Sequence, residues 1–182
     1  FFVAGATSGI WKTTNSGTTF RPVFDNERVV SMGDIAIAPS NPDIVWAGTG
    51  EEDSRNSISP GGGVYKSTDG GLTWELKGLE GTQAIGRVVV HPTNADWVYV
   101  AALGHPWGAN EERGLYRTRD GGETWDISRE LVIRDDGIHM DLGYPASVEL
   151  QNGRILTVYY FHGEDGLRYI TGTIYNENEM VA

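Results

Sequence analysis

Four short segments concentrate the side chains able to do chemistry. They are Glu51-Glu52-Asp53-Ser54-Arg55-Asn56-Ser57, the run from Gly104 to Arg113, the run from Arg134 to Asp141, and His162-Gly163-Glu164-Asp165-Gly166. Glu51, Arg55, Asn56, Glu111, Glu112 and Arg113 could orient a polar ligand through paired charges and hydrogen bonds; loop hydrogen bonding or solvation is the plainer account of them. Trp107 could stack on a sugar ring or a protein partner, or plug its own loop. His105 and His139 are acid/base or ligand candidates, against ordinary loop packing. Tyr144 precedes Pro145 and could line a channel. Asp141, with Asp135 and Asp136, has no spacing like a dedicated calcium loop, so no metal site is expected. Glycoside hydrolysis needs two carboxylates at a set separation across the scissile bond. Pairs can be drawn from Glu51, Asp53, Glu111, Glu112 and Glu164, but sequence spacing gives no distances, and no catalytic residue is assigned.

These segments need a scaffold, and the sequence shows one as a repeat. Three stretches align without gaps: Gly9 to Phe20, Gly63 to Trp74 and Gly114 to Trp125, offset by 54 and 51 residues. A period this long implies one supersecondary unit per repeat. Each stretch carries Ser or Thr, then Asp or Asn, Gly, Thr and an aromatic residue at fixed offsets. The three sets are Thr13, Asn15, Gly17 and Phe20; Ser67, Asp69, Gly71 and Trp74; Thr118, Asp120, Gly122 and Trp125. In a hairpin, the Asp or Asn can accept amides of its own turn. The Gly can take a positive φ, and the aromatic ring can insert between sheets. The motif is therefore read as structural.

Between the motifs lie strand–turn–strand segments at 34–47 and 87–101, with a looser copy at 147–160. Each full repeat then holds four strands, A to D. The predicted strands are 34–38, 44–49, 63–67 and 73–77, then 87–90, 97–102, 114–118 and 124–129. An incomplete first repeat begins inside strand B and holds 9–13 and 19–24. An incomplete last one holds 147–150, 154–161 and 167–175. The total is about fourteen strands with no helix of useful length, since no stretch sustains a period of 3.6. Strand order puts the B–C and D–A loops, and hence the chemistry-bearing segments, at one end. The A–B and motif turns lie at the other.

At the motif residues the chain resembles the Asp-box (BNR) repeat family. Residues 1–130 resemble sortilin-type bacterial BNR-repeat proteins, through the runs Asn41 to Glu51 and Val98 to His105. Residues 141–175 resemble the closing blade of sialidase-like BNR proteins, through Asp141 to Leu150. The join falls near 128–140. The resemblance implies an all-β fold, a partial Asp-box β-propeller of three and a half to four blades in one domain spanning 1–182. Its repeats are approximately 1–30, 31–82, 83–132 and 141–176. Sialidase-like members imply an arginine cluster and a Tyr nucleophile with a Glu partner. Arg55, Arg87, Arg113, Arg134 and Arg154 do not stand in the family's contexts for that cluster.

Composition bounds the partners. The formal net charge is -11, which disfavours nucleic acid and anionic membranes. No Cys is present, which excludes disulfides and thiolate metal sites. No signal peptide is visible. The chain opens as if inside a strand, so a missing start is expected; the resemblance implies an extracellular or periplasmic location. No cofactor is expected. The expected role is a non-catalytic propeller segment, a scaffold or a carbohydrate- or protein-binding module using its B–C loop face. The alternatives are a sialidase-like glycoside hydrolase and a rearranged or engineered fragment whose main property is self-assembly. An open propeller leaves an apolar face and a free edge. A homo-oligomer is therefore expected, a dimer above all, because two sets of fourteen strands equal seven four-stranded blades.

Overall fold

The computed structural model describes residues 1–53, 57–105, 107–108, 110–127, 143–162 and 166–176. Among these the chain is all-β, with fourteen strands in four antiparallel sheets. It divides into two compact units, Phe1–Ser128 and Arg129–Ala182.

The first unit holds three sheets. Strands β1 (Phe2–Gly5), β2 (Gly9–Lys12) and β3 (Arg21–Pro22) form the first. Strands β4 (Met32–Ile37), β5 (Val45–Thr49), β6 (Val64–Ser67) and β7 (Glu75–Leu76) form the second. Strands β8 (Ile85–Val90), β9 (Val98–Ala102), β10 (Gly114–Thr118) and β11 (Asp126–Ile127) form the third. A 3-10 turn, Glu80–Thr82, links the second sheet to the third. Every strand expected from the repeat is present, in sequential meander order. The fourth strands are shorter than expected, two residues each.

Pattern explains the layering. Along β8 the burial alternates, with Val88 and Val90 buried and Arg87 and Val89 exposed, as a strand's two-residue period requires. The second sheet is the middle layer, so β5 is buried along its whole length. One core lies between the first two sheets, built on Ile10, Phe24, Met32, Ala47 and Tyr65. The other lies between the second and third, built on Trp46, Val64, Ile85, Val88, Val98 and Val100. Close approach is enforced by glycine: a Cβ on Gly33 would lie within 1.8 Å of the Ile85 carbonyl oxygen. Both β4 and β8 carry a bulge beside such a glycine, between Met32 and Asp34 and between Ile85 and Arg87.

The second unit has one sheet, β12 (Gly143–Glu149), β13 (Arg154–His162) and β14 (Arg168–Asn176). Its hairpins are longer, with nine paired residues between β13 and β14 and a register shift in the β12–β13 pairing between Gly143 and Ala146. Ser147 Oγ and the Tyr175 hydroxyl both lie within hydrogen-bond reach of Thr157 Oγ1, at 2.7 and 2.9 Å. Among the described residues no fourth strand follows β14. No described helix is long and apolar enough to cross a membrane.

Candidate functional site

The repeated motif builds three equivalent turns. In the second, Asp69 Oδ1 accepts the Leu72 and Thr73 amides at 2.8 and 2.9 Å, and Asp69 Oδ2 accepts the Thr73 hydroxyl at 2.6 Å. Ser67 Oγ donates to the same carboxylate and accepts the Gly71 amide at 2.7 Å. Thr118, Asp120, Gly122 and Thr124 repeat these contacts. Thr13, Asn15, Gly17 and Thr19 keep the backbone contacts, but with an amide in place of the carboxylate Asn15 Nδ2 donates to the Thr19 hydroxyl. The Thr73 and Thr124 hydroxyls and amides hold the Asp69 and Asp120 carboxyls well below the usual carboxylate range. Gly17, Gly71 and Gly122 all have positive φ.

The Trp at the end of the second and third motifs ties its sheet to the preceding one. Trp74 Nε1 donates to the Val23 carbonyl at 2.8 Å, and its ring meets Phe24 edge-on. Trp125 Nε1 donates to the Lys77 carbonyl at 2.6 Å, and its ring meets Trp46 edge-on. Phe20 holds the same place on the first sheet. It is exposed and meets Phe1 instead.

The opposite end of the sheets collects the second-to-third-strand loops. Gly61 N donates to Gln83 O, Gly50 N to Ser31 O, and Leu103 N to Ala84 O. These bonds bring each loop against the connection that enters the neighbouring sheet or its own. The A–B turns and motif turns meet at the other end, through Gly70 N to Asp43 O and Gly121 N to Asp96 O.

Within the β5–β6 loop, Glu51 is buried and its Oε2 accepts the Ser59 amide at 3.2 Å. Its carboxylate braces the loop base. Arg55 and Asn56 lie outside the described residues. Within the β9–β10 loop, Arg113 donates to three carbonyls: Leu103 through Nε at 2.9 Å, and His105 and Gly108 through Nη2 at 3.2 Å each. Asn110 Nδ2 adds a bond to His105 O at 2.8 Å. His105 Nδ1 faces Trp107, 2.8 Å from its carbonyl oxygen. Arg113, Asn110 Nδ2 and His105 thus bond to carbonyls of the loop itself, while the buried Asn110 Oδ1 has no hydrogen-bond partner. Glu111 and Glu112 are exposed on its rim. Trp107 stands out at 58% exposure.

His139 and Asp141 lie outside the described residues. Tyr144 is placed on β12, with its side chain outside the described part. Four of the described arginines take separate partners. Arg87 faces Asp34, Arg117 faces Asp126, Arg119 lies over Trp97, and Arg168 bonds His162.

One group was not singled out from sequence. Asp34 Oδ2 accepts the Val88 amide of the next sheet at 2.8 Å, with Arg87 Nε 3.7 Å away. Near it, burial first, then the charges of Asp53 and Asp34, raise the protonation tendency of Glu52, against Arg87. A carboxylate immediately before the apolar run Ile35-Ala36-Ile37 was the available signal. Among the described residues no cluster of His, Asp and Glu could hold a metal ion.

No protein-family sequence profile matches this chain. No curated protein matches it either. Solved structures do share its fold. An ancestral GH74 enzyme aligns over 94% of this chain and 22% of its own length, at 22% identity and a TM-score of 0.52. YCF48 bound to D1 peptide aligns over 97% of this chain and 50% of its own, at 14% identity and a TM-score of 0.51. This chain thus spans half or less of either solved chain.

Proposed function

We propose that this chain is a segment of an Asp-box β-propeller whose sheets are its blades, and that it is a non-catalytic binding module. The observation that carries this reading is the β9–β10 loop. Arg113 and Asn110 are spent on bracing its backbone, while Trp107 is presented outward. An exposed aromatic ring on a braced loop is a pre-organised anchor, because little side-chain or loop entropy is lost when a ligand docks. The similarity in fold to a structure with a bound peptide supports a peptide as one ligand class. A sugar ring stacked on the indole is the other.

The sialidase-like alternative requires convergent arginines. The dispersed partners of Arg87, Arg113, Arg117 and Arg119 support the binding reading over it. The test is a glycan and peptide array probed with the whole chain and with Trp107→Ala. Binding that Trp107→Ala abolishes, without loss of folding, is the expected result. Cleavage of a fluorogenic sialoside or β-glycoside by the purified chain would refute the non-catalytic reading.

A further inference from the structure

Three of the sheets turn from their first strand to their second through an asparagine. Asn41 Oδ1 accepts the Asp43 amide at 3.1 Å, Asn94 Oδ1 the Asp96 amide at 3.0 Å, and Asn152 Oδ1 the Arg154 amide at 3.2 Å. The bond is the same in each turn. A side-chain oxygen takes the amide two residues on, which folds the side chain back over the peptide between them. That arrangement brings the Asn Cγ toward the nitrogen of the next residue. It also sets a donor on Oδ1, where negative charge develops when that nitrogen attacks Cγ.

The next residue decides whether the attack can occur. Pro42 has no N–H to lose, so its nitrogen cannot serve. Ala95 carries a Cβ beside its nitrogen and is held in place. It packs against the core between the second and third sheets, and its carbonyl accepts Trp46 Nε1 at 3.3 Å. Gly153 is different. Asn152-Gly153 is the one Asn-Gly pair in the sequence, and both residues are exposed at the tip of the β12–β13 hairpin. A Cβ built on Gly153 would meet nothing within 4 Å. Its amide donates to the Leu150 carbonyl at 2.9 Å, a bond that a hairpin tip in water opens at little cost.

Two Asp-Gly pairs have the atoms for the same ring closure, Asp69-Gly70 and Asp120-Gly121. Closure there expels hydroxide or water from the carboxyl, so it needs the protonated acid. The Thr73 and Thr124 hydroxyls and amides keep both carboxyls ionised. Gly70 N and Gly121 N are in turn bound to the Asp43 and Asp96 carbonyls.

We propose that Asn152 is a self-modifying site, which converts in the folded protein to aspartyl and isoaspartyl residues through a cyclic imide with Gly153. The Gly153 nitrogen loses its proton to solvent base and bonds to Asn152 Cγ. The Cγ–Nδ2 bond breaks, and Nδ2 leaves as ammonia with a proton from water. Water then adds to either imide carbonyl. The bond from that carbon to the Gly153 nitrogen breaks, and the nitrogen regains its proton. Nothing is oxidised or reduced: a water replaces an ammonia. Opening at Cγ leaves aspartate; opening at the backbone carbon leaves isoaspartate. Each conversion adds a negative charge. Isoaspartate also lengthens the backbone within a turn closed by Leu150 N to Arg154 O, so the adjoining Glu149–Ile155 pairing loosens. The site does not depend on the ligand reading of the β9–β10 loop.

The test incubates the full folded chain in warm, mildly alkaline buffer made with heavy-oxygen water, followed by peptide mapping in a mass spectrometer. The peptide holding Asn152 should gain the mass of an amide turned carboxyl, take up the label, and become a substrate for an isoaspartyl methyltransferase. Its rate should exceed that at Asn41 and Asn94 roughly tenfold or more. Asn152→Gln requires a larger ring and should abolish the conversion. Gly153→Ala crowds the nucleophile and should slow it roughly tenfold. Far-ultraviolet circular dichroism checks that both variants fold. Conversion led by another Asn, or spread evenly among them, overturns the proposal. So does conversion at Asn152 that appears only after unfolding in urea, a result that needs no variant. Asp69 and Asp120 should stay aspartyl in the folded chain and form isoaspartate once urea removes their turns. Their isomerisation in the folded chain would overturn the account of what sets Asn152 apart.

Discussion

Adjacent glycines in one turn should differ sharply in what a methyl group costs. Gly70 and Gly71 both have positive φ, 70° and 80°. A side chain at either carries the left-handed penalty of about 1–2 kcal/mol. The surroundings differ. A Cβ on Gly70 meets only the ends of two flexible side chains, Lys12 Nζ at 3.2 Å and Asp43 Oδ1 at 3.6 Å. A Cβ on Gly71 lies 2.6 Å from the Phe2 ring and 3.4 Å from the Trp74 ring, both between sheets. Overpacking of that kind adds about 1–3 kcal/mol. Gly70→Ala should thus cost about 1–2 kcal/mol and Gly71→Ala about 2–5 kcal/mol. With a urea slope near 2 kcal/mol/M, the midpoints fall by about 0.5–1 M and about 1–2.5 M. All six Trp residues lie before residue 128, so tryptophan fluorescence follows the first unit alone. Phe2→Leu should relieve part of the Gly71→Ala cost, a coupling of about 1 kcal/mol in a double-mutant cycle. Equal costs at the two glycines, or no coupling to Phe2, would refute the claim that the motif turn is clamped by the neighbouring sheet.

Other outcomes follow from the same contacts. Asp69 and Asp120 have folded-state pKa values below the unfolded one, so their contribution is full above about pH 4 and is lost as pH falls below it. The double variant Asp69→Asn, Asp120→Asn should flatten the acid limb of stability against pH, read as urea midpoints from pH 7 downward; an unchanged acid limb would count against it. Trp125→Phe removes the bond to the Lys77 carbonyl and part of the contact with Trp46, and should cost about 1–2 kcal/mol by urea denaturation. Arg113→Lys cannot serve three carbonyls in a fixed fork, so amide exchange within 103–113 should rise several-fold, with little change in global stability.

The strand plan was legible because it rests on local chemistry. Period-two burial, Gly at positive φ and an Asp that caps its own turn act within a few residues, so the pattern Ser67, Asp69, Gly71, Thr73 reads directly as a turn. The site was legible only in part. Arg113 was a candidate for orienting a polar ligand, and in the fold it donates to carbonyls of its own loop. Glu51 was a candidate on an open loop, and the fold buries it. Phe20 was grouped with Trp74 and Trp125, yet its ring stays exposed on an outer face.

The sequence by itself determined fourteen strands, their order and the three motif turns, because each is set by hydrogen bonds and side-chain alternation of short range. Tertiary structure decided which faces are covered. Whether Lys66 finds Asp96 depends on which sheet lies opposite, and residues thirty positions apart carry no local signal of that. Tertiary structure also brought Asp34 to the Val88 amide and left Trp107 in the open, since both outcomes follow from how sheets and loops stack.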